Sequence, residues 1–320
     1  MSLHNPLTEF LQSDGVLMLD GGLATELERR GANLNDPLWS ARLLIEEPAL
    51  IRDVHRDYFI AGADVATTAS YQATFEGLAK RGCSEQAAAD LMLSSVRLAR
   101  QARDEFWAIP ANRVGRIKPL VAASIGPYGA MLADGSEYRG SYGLSERALM
   151  DFHRPRMRVL ADSGADLLAC ETIPCRAEAL ALARLLTELP DIGAWISFSC
   201  RDGELDSQGE PLAGCAHALE PFDQVLSVGV NCTAPQFVES LVGELARTTA
   251  KPVAVYPNSG EHYDANTKQW HGCTAFGSFV DGAQRWRRAG ARLIGGCCRT
   301  TPEDIRAVRE ALTSKATANR

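Results

Sequence analysis

Eight short, nearly unbroken apolar runs recur along the 320 residues of this chain, and they limit its fold more than any other feature. They are Val16–Asp20, Asp64–Ala69, Pro119–Ile125, Asp166–Glu171, Ala194–Cys200, Val225–Cys232, Pro252–Pro257 and Ala291–Cys297. A strand covered on one face alternates apolar with polar residues, whereas a parallel strand covered on both faces reads as a continuous apolar run. Amphipathic stretches separate the runs: Pro48–Ala61, Ser84–Trp107, Ser145–Ser163, Arg176–Leu189, Pro235–Arg247, Thr274–Ala289 and Pro302–Leu312. Their apolar residues fall at helical spacing, and Ser84 is placed to cap its helix. Ala61–Gly62–Ala63, Ser163–Gly164–Ala165 and Ala289–Gly290–Ala291 put a glycine between a helix and the next strand, as αβ loops do. Eight such units predict an α/β fold, a single (β/α)8 TIM barrel over residues 1–320. A doubly wound open sheet is the alternative, but it calls for fewer strands and a Gly-rich turn after the first.

Barrels of this kind carry their chemistry where the strands end. The runs end in Asp20–Gly21–Gly22, Ser70–Tyr71–Gln72, Ser124–Ile125–Gly126–Pro127, Cys170–Glu171–Thr172, Ser199–Cys200, Asn231–Cys232, Tyr256–Pro257–Asn258–Ser259 and Gly295–Gly296–Cys297–Cys298. Polar and thiol groups therefore gather at one rim. Cys297 and Cys298 are vicinal and lack the spacing of a structural zinc site. Alone they read as two small buried residues at a strand end. In a barrel, one strand separates the sixth from the eighth, so Cys232 can meet them. Three thiolates and one open position is the layout of a catalytic zinc site. Cys170 and Cys200 read as core, and Cys83, Cys175, Cys215 and Cys273 as incidental.

Composition narrows the compartment and partners. Lys plus Arg is 33 against 40 for Asp plus Glu, a formal net charge of −7 with no run of like charges, which argues against nucleic acid or an anionic membrane as partner. The opening Met1–Phe10 has no basic stretch followed by an apolar one, and no run is long enough to cross a bilayer, so a cytoplasmic protein is expected. In that reducing setting the nine cysteines are poor disulfide candidates.

Asp20 and Glu171 end the first and fourth runs. They read as solvated or Arg-paired carboxylates, as an acid/base pair, or as anchors for an ammonium group. Gly21 and Gly22 expose N–H groups that suit a carboxylate, and the combination suits an amino acid. No histidine has a second one four residues on, so a His-based metal site is not expected; His262 reads as a loop residue near the rim. Most aromatic residues fall on helices, but Tyr71 and Tyr256 fall at strand ends.

Asp20–Gly21–Gly22, Ala69–Ser70–Tyr71–Gln72–Ala73, Cys170–Glu171–Thr172, Gly229–Val230–Asn231–Cys232, Tyr256–Pro257–Asn258–Ser259–Gly260–Glu261 and Gly295–Gly296–Cys297–Cys298 together resemble the homocysteine S-methyltransferase family, in the branch that uses S-methylmethionine or S-adenosylmethionine. The motifs run from the first strand to the last. The sequence runs only a few residues past its last helical stretch, Pro302–Leu312, so neither the extension of betaine-using relatives nor cobalamin modules are expected. The resemblance implies that Cys232, Cys297 and Cys298 bind Zn2+. It implies that Asp20 and Glu171 hold the homocysteine amine, with N–H groups near Gly21 and Gly22 on its carboxylate. It also makes Tyr71, Asn231, Tyr256 and Asn258 substrate-facing candidates.

The implied chemistry suits these residues. A free thiol has a pKa near ~8.5 and is mostly protonated at neutral pH, whereas a zinc-bound one is a thiolate. A sulfonium donor carries its own thioether leaving group, so no general acid is needed. A barrel hydrolase built on Asp20 and Glu171 would leave three strand-end cysteines without a use. A thiol sensor would not need the two carboxylates.

Overall fold

The computed structural model describes residues 4–34, 42–260, 262–264, 269–271 and 278–313. Glu261, Cys273 and the start of the helix expected from Thr274 lie outside them. The strands are β1 (Leu17–Met18), β2 (Val65–Thr67), β3 (Leu120–Ile125), β4 (Leu167–Ile173), β5 (Ala194–Phe198), β6 (Val225–Asn231), β7 (Val253–Tyr256), β8 (His262–Asp264), β9 (Gln269–His271) and β10 (Ala291–Ile294). Eight of them form one parallel sheet in the order β1-β10-β7-β6-β5-β4-β3-β2. The two ends of that order meet. The Asp64 N–H donates to the Met18 carbonyl at 2.7 Å, and the Met18 N–H donates to Asp64 Oδ2 at 3.0 Å. The fold is the expected (β/α)8 TIM barrel.

Each strand is apolar on both faces because it has two neighbours to satisfy. Leu17, Val65, Leu167, Trp195, Ala254 and Leu293 fill the interior, and Leu7 and Phe10 of the segment before β1 join them. Met18, Val121, Cys170, Ile196, Val228, Val255 and Ile294 face the surrounding helices. The expected helices recur nearly residue for residue, including Pro48–Ala61, Glu85–Ala108 and Pro302–Thr313. Ser84 caps its helix by accepting from the Ala87 N–H at 3.2 Å. Gly62 and Gly290 end theirs at φ 117° and 125°, backbone that a side chain would strain.

Three features escape periodicity. The helix Leu23–Arg29 is short and follows two glycines, and Leu212–Leu219 has an apolar composition with little polar face to reveal a period. Strands β8 and β9 pair as an antiparallel hairpin, which makes the backbone at His262 a strand, not the loop expected there. Among the described residues no helix is long and apolar enough to cross a membrane.

Candidate active site at the strand ends

A cavity of about 510 Å³ opens where the strands end, and it is lined by every residue singled out above except Asn258. Its volume is ordinary for a small-molecule site.

Three loops build its sulfur corner. The Cys232 N–H donates to the Tyr256 carbonyl at 3.2 Å, the Cys297 N–H to the Pro257 carbonyl at 2.8 Å, and the Ser259 N–H to the Cys298 carbonyl at 3.1 Å. The β7 loop is thus clasped between those after β6 and β10, and the sulfurs of Cys232, Cys297 and Cys298 come within 4.8 Å of one another. Cys232 and Arg299 hold left-handed backbone, φ 46° and 67°, which non-glycine residues adopt mainly where the surroundings impose it. The enclosed setting pushes the Cys298 thiol up to about 12, and the carboxylates of Glu28, Glu171 and Glu137 add to the effect. A thiolate here calls for a positive charge beside it.

One expectation about the cysteines needs correcting. Cys232 and Cys297 lie side by side as a disulfide pair, their Cα atoms 5.7 Å apart. That separation suits a disulfide, because a cage that gathers thiols around one point also brings their sulfurs within bonding reach. Cys170, Cys175, Cys200 and Cys215 are buried and Cys83 is half-buried, apart from this corner.

Gly22 has to be glycine. A Cβ there would sit 2.7 Å from the Cys297 carbonyl oxygen. The same closeness commits one of the two N–H groups expected to meet the substrate carboxylate. The Gly22 N–H donates to Thr300, at 3.1 Å to Oγ1 and 3.2 Å to the carbonyl, so it is already committed within the protein.

Asp20 and Glu171 are buried, and among the described residues no Lys, Arg or His pairs with either. Asp20 accepts from the Thr67 N–H at 2.7 Å and from the Thr67 hydroxyl at 3.0 Å. Burial nevertheless raises its carboxyl to about 8, with the charge of Glu171 adding a little. Glu171 accepts from the Ser124 hydroxyl and from Tyr256, yet burial lifts it to about 7. These are neither solvated nor Arg-paired groups. Two buried carboxylates without a counter-ion among the described residues are suited to a cation.

The remaining candidates divide. Asn231 bonds inward: its Oδ1 accepts from the Thr172 N–H at 2.7 Å and the Ser197 hydroxyl at 2.9 Å, and its Nδ2 donates to Thr172 Oγ1 at 2.8 Å. It holds Thr172 at φ 61°, directly after Glu171, and so acts on the site through its neighbour. The Tyr256 hydroxyl accepts from Trp195 Nε1 at 2.9 Å and shares hydrogen bonds with Ser197 and Glu171. Tyr71 lies on the wall and hydrogen-bonds Thr172. Asn258 is buried off the wall, its N–H donating to the Thr233 carbonyl at 3.2 Å. Sequence reasoning missed Thr67, Ser124, Glu137 and Thr300. Hydroxyls are too common to stand out, and Glu137 belongs to a loop rather than to a strand end.

Residues 17–312 match the family model described as homocysteine S-methyltransferase. The homocysteine S-methyltransferase YbgG of Bacillus subtilis is 57% identical, over 95% of this chain and 96% of its own. The metallated form of the homocysteine methyltransferase MmuM from Escherichia coli superposes with a TM-score of 0.86 at 49% identity, over 95% of this chain and 99% of that one. The oxidized form of the same protein gives the same TM-score and identity, over 96% and 99%.

Proposed function

The chain belongs to the homocysteine S-methyltransferase family, and on that premise we propose that it passes a methyl group from a sulfonium donor, S-methylmethionine or S-adenosylmethionine, to the thiol of L-homocysteine, with zinc at its three rim cysteines. The product is L-methionine. The observation that carries this reading is the meeting of three cysteine sulfurs, which become thiols under reductant, and two carboxylates with no cationic partner among the described residues on one cavity wall.

The donor set fits zinc: three soft sulfur ligands within 4.8 Å of one another, with a side toward the cavity where a substrate sulfur has room. When bound, zinc keeps the homocysteine sulfur deprotonated at neutral pH. Cys232, Cys297 and Cys298 hold it. Asp20 and Glu171 take the substrate ammonium, which aligns the thiol with the sulfur corner. A sulfur lone pair then forms the new S–CH3 bond while the donor's S–CH3 bond breaks, its electron pair staying on the departing thioether. No proton moves in that step. Thiolate and sulfonium both lose charge, so a wall that excludes water favours the transition state. The face of Tyr71 can steady the donor cation. The whole chain acts as one cytoplasmic catalytic domain in methionine formation.

The test has two parts. Protein purified under reductant should hold about one zinc per chain, and Cys298→Ala should lose most of it. With homocysteine fixed, a donor panel should yield methionine from S-methylmethionine or S-adenosylmethionine. Full zinc in Cys298→Ala would remove that residue from the metal site, and no methionine from either sulfonium would reject the donor class.

A further inference from the structure

We propose that Glu137 is a second ammonium anchor, one that holds the amino group of an amino-acid-type sulfonium donor on the cavity wall supplied by the β3 loop. This rests on the sulfonium reading above and assigns the donor its binding residue.

Glu137 sits in the single 3-10 turn Ser136–Tyr138, and its backbone is tightly held. Its carbonyl accepts from the Ser199 hydroxyl at 2.9 Å, and that hydroxyl is itself bonded to Ser207 at 2.8 Å. The Arg139 and Gly140 N–H groups close the turn on the Ser136 carbonyl at 3.0 and 2.9 Å. Its amide presses so closely on Gly129 that a Cβ there would collide with it. The side chain is therefore presented by a rigid frame.

The side chain lines the cavity with Tyr71, Gln72 and Cys298. These residues put the carboxylate on the same cavity wall as the sulfur corner. Glu137 Oε2 is buried and has no hydrogen-bond partner among the described residues. A buried carboxylate oxygen left unpaired is costly, and native proteins rarely keep one without a use. Burial raises this carboxyl to about 7. The cation nearest in sequence, Arg139, is exposed and pairs with Asp134 at 3.6 Å, and its charge only partly offsets the burial of Glu137. Glu28 also lines the cavity, but it is exposed and feels the charge of Arg299.

The ligand's chemistry decides what Glu137 binds. A sulfonium loses its charge as the methyl leaves, so a carboxylate against it would stabilise the ground state most and slow transfer. An α-ammonium keeps its charge throughout, so pairing with it persists into the transition state. Homocysteine already has Asp20 and Glu171 for its own ammonium. Two amino-acid substrates thus meet two separate carboxylate anchors.

The test compares the zinc-loaded full chain with Glu137→Gln, using S-methylmethionine and its amine-free analogue 4-(dimethylsulfonio)butanoate. A charge-assisted hydrogen bond of ordinary strength predicts that Glu137→Gln raises the S-methylmethionine KM about tenfold or more. The homocysteine KM and zinc content should stay as in the parent, and the two enzymes should agree within about twofold on the amine-free donor. Calorimetric titration of S-methylmethionine should show the same weakening without turnover. Equal losses on both donors, or an unchanged KM and binding constant for S-methylmethionine, would overturn the anchor while leaving the sulfonium reading intact. A parent enzyme inactive with every sulfonium would overturn both. Because Gln keeps the shape of Glu, an unchanged Tm separates a binding loss from a folding one.

Discussion

At the scale of single residues, the site is governed by burial without compensation. Asp20 and Glu171 are raised to about 8 and about 7 because burial removes water, and no cation among the described residues pairs with them. Ser124, Thr67 and Tyr256 satisfy part of their oxygens and fix their direction, as the proposed recognition role requires. Glu171→Gln keeps the shape and the Ser124 contact but removes the charge. It should weaken homocysteine, read as KM, by roughly tenfold or more, since hydrogen bonds to charged groups are worth about 1.5–3 kcal/mol. The loss should be much smaller with 4-mercaptobutyrate, which lacks the amine. Equal losses with both thiols would mean that Glu171 serves the chemistry and not the ammonium. The strand-end carboxylates could be named from sequence because a barrel strand end is a definable place. Their hydroxyl partners could not, since nothing in sequence separates Ser124 from any other buried serine.

At the scale of elements, the sulfur corner is made by loops pressed together. The loop after β1 touches the one after β10 at Gly22, whose hydrogen and whose N–H bond to Thr300 allow the approach. Gly22→Ala should force Cys297 aside and lower zinc affinity about tenfold or more, as disturbed metal support does, with the circular dichroism of the barrel intact. Unchanged zinc affinity would show that the corner does not depend on this contact. Ser84→Ala is the contrasting case, an exposed cap that does not line the cavity. It removes one helix cap, costs about 1 kcal/mol, lowers Tm by roughly 2–4 °C and leaves KM for both substrates alone. Helices and caps were legible because their signals are local. The bond of the Asn258 N–H to Thr233 and the commitment of the Gly22 N–H were not, because each depends on a neighbouring loop distant in sequence.

At the scale of the whole molecule, the seam between β1 and β2 joins stability to function. Asp64 bonds Met18 across it, and Asp20 bonds Thr67 just beyond, so a residue proposed to anchor substrate also helps close the barrel. The folded-state carboxyl of Asp20 is raised from 3.8 to about 8, so the folded protein holds this proton more tightly than the unfolded chain. Its contribution to stability is therefore fully present below the unfolded value near 3.8 and is lost as pH rises through about 8. Substrate-free protein should melt at a lower temperature at pH 9 than at pH 5, and Asp20→Asn should flatten that slope. A slope unchanged in Asp20→Asn would assign the pH dependence to other groups. Sequence alone determined the number of strands, the helices between them and the end of the barrel that carries the chemistry, because these follow from periodicity and chain direction, which are local. It also identified the three cysteines, since barrel geometry sets the sixth and eighth strands two apart. Only the tertiary structure decided which groups lose their water and which find a partner within the protein. It showed, among the described residues, Asp20 and Glu171 without a cation, Gly22 committed to Thr300, Asn258 bonded to Thr233, and one oxygen of Glu137 unpaired. Desolvation and close contact arise from residues far apart along the chain, and they exist only once the strands have closed on themselves.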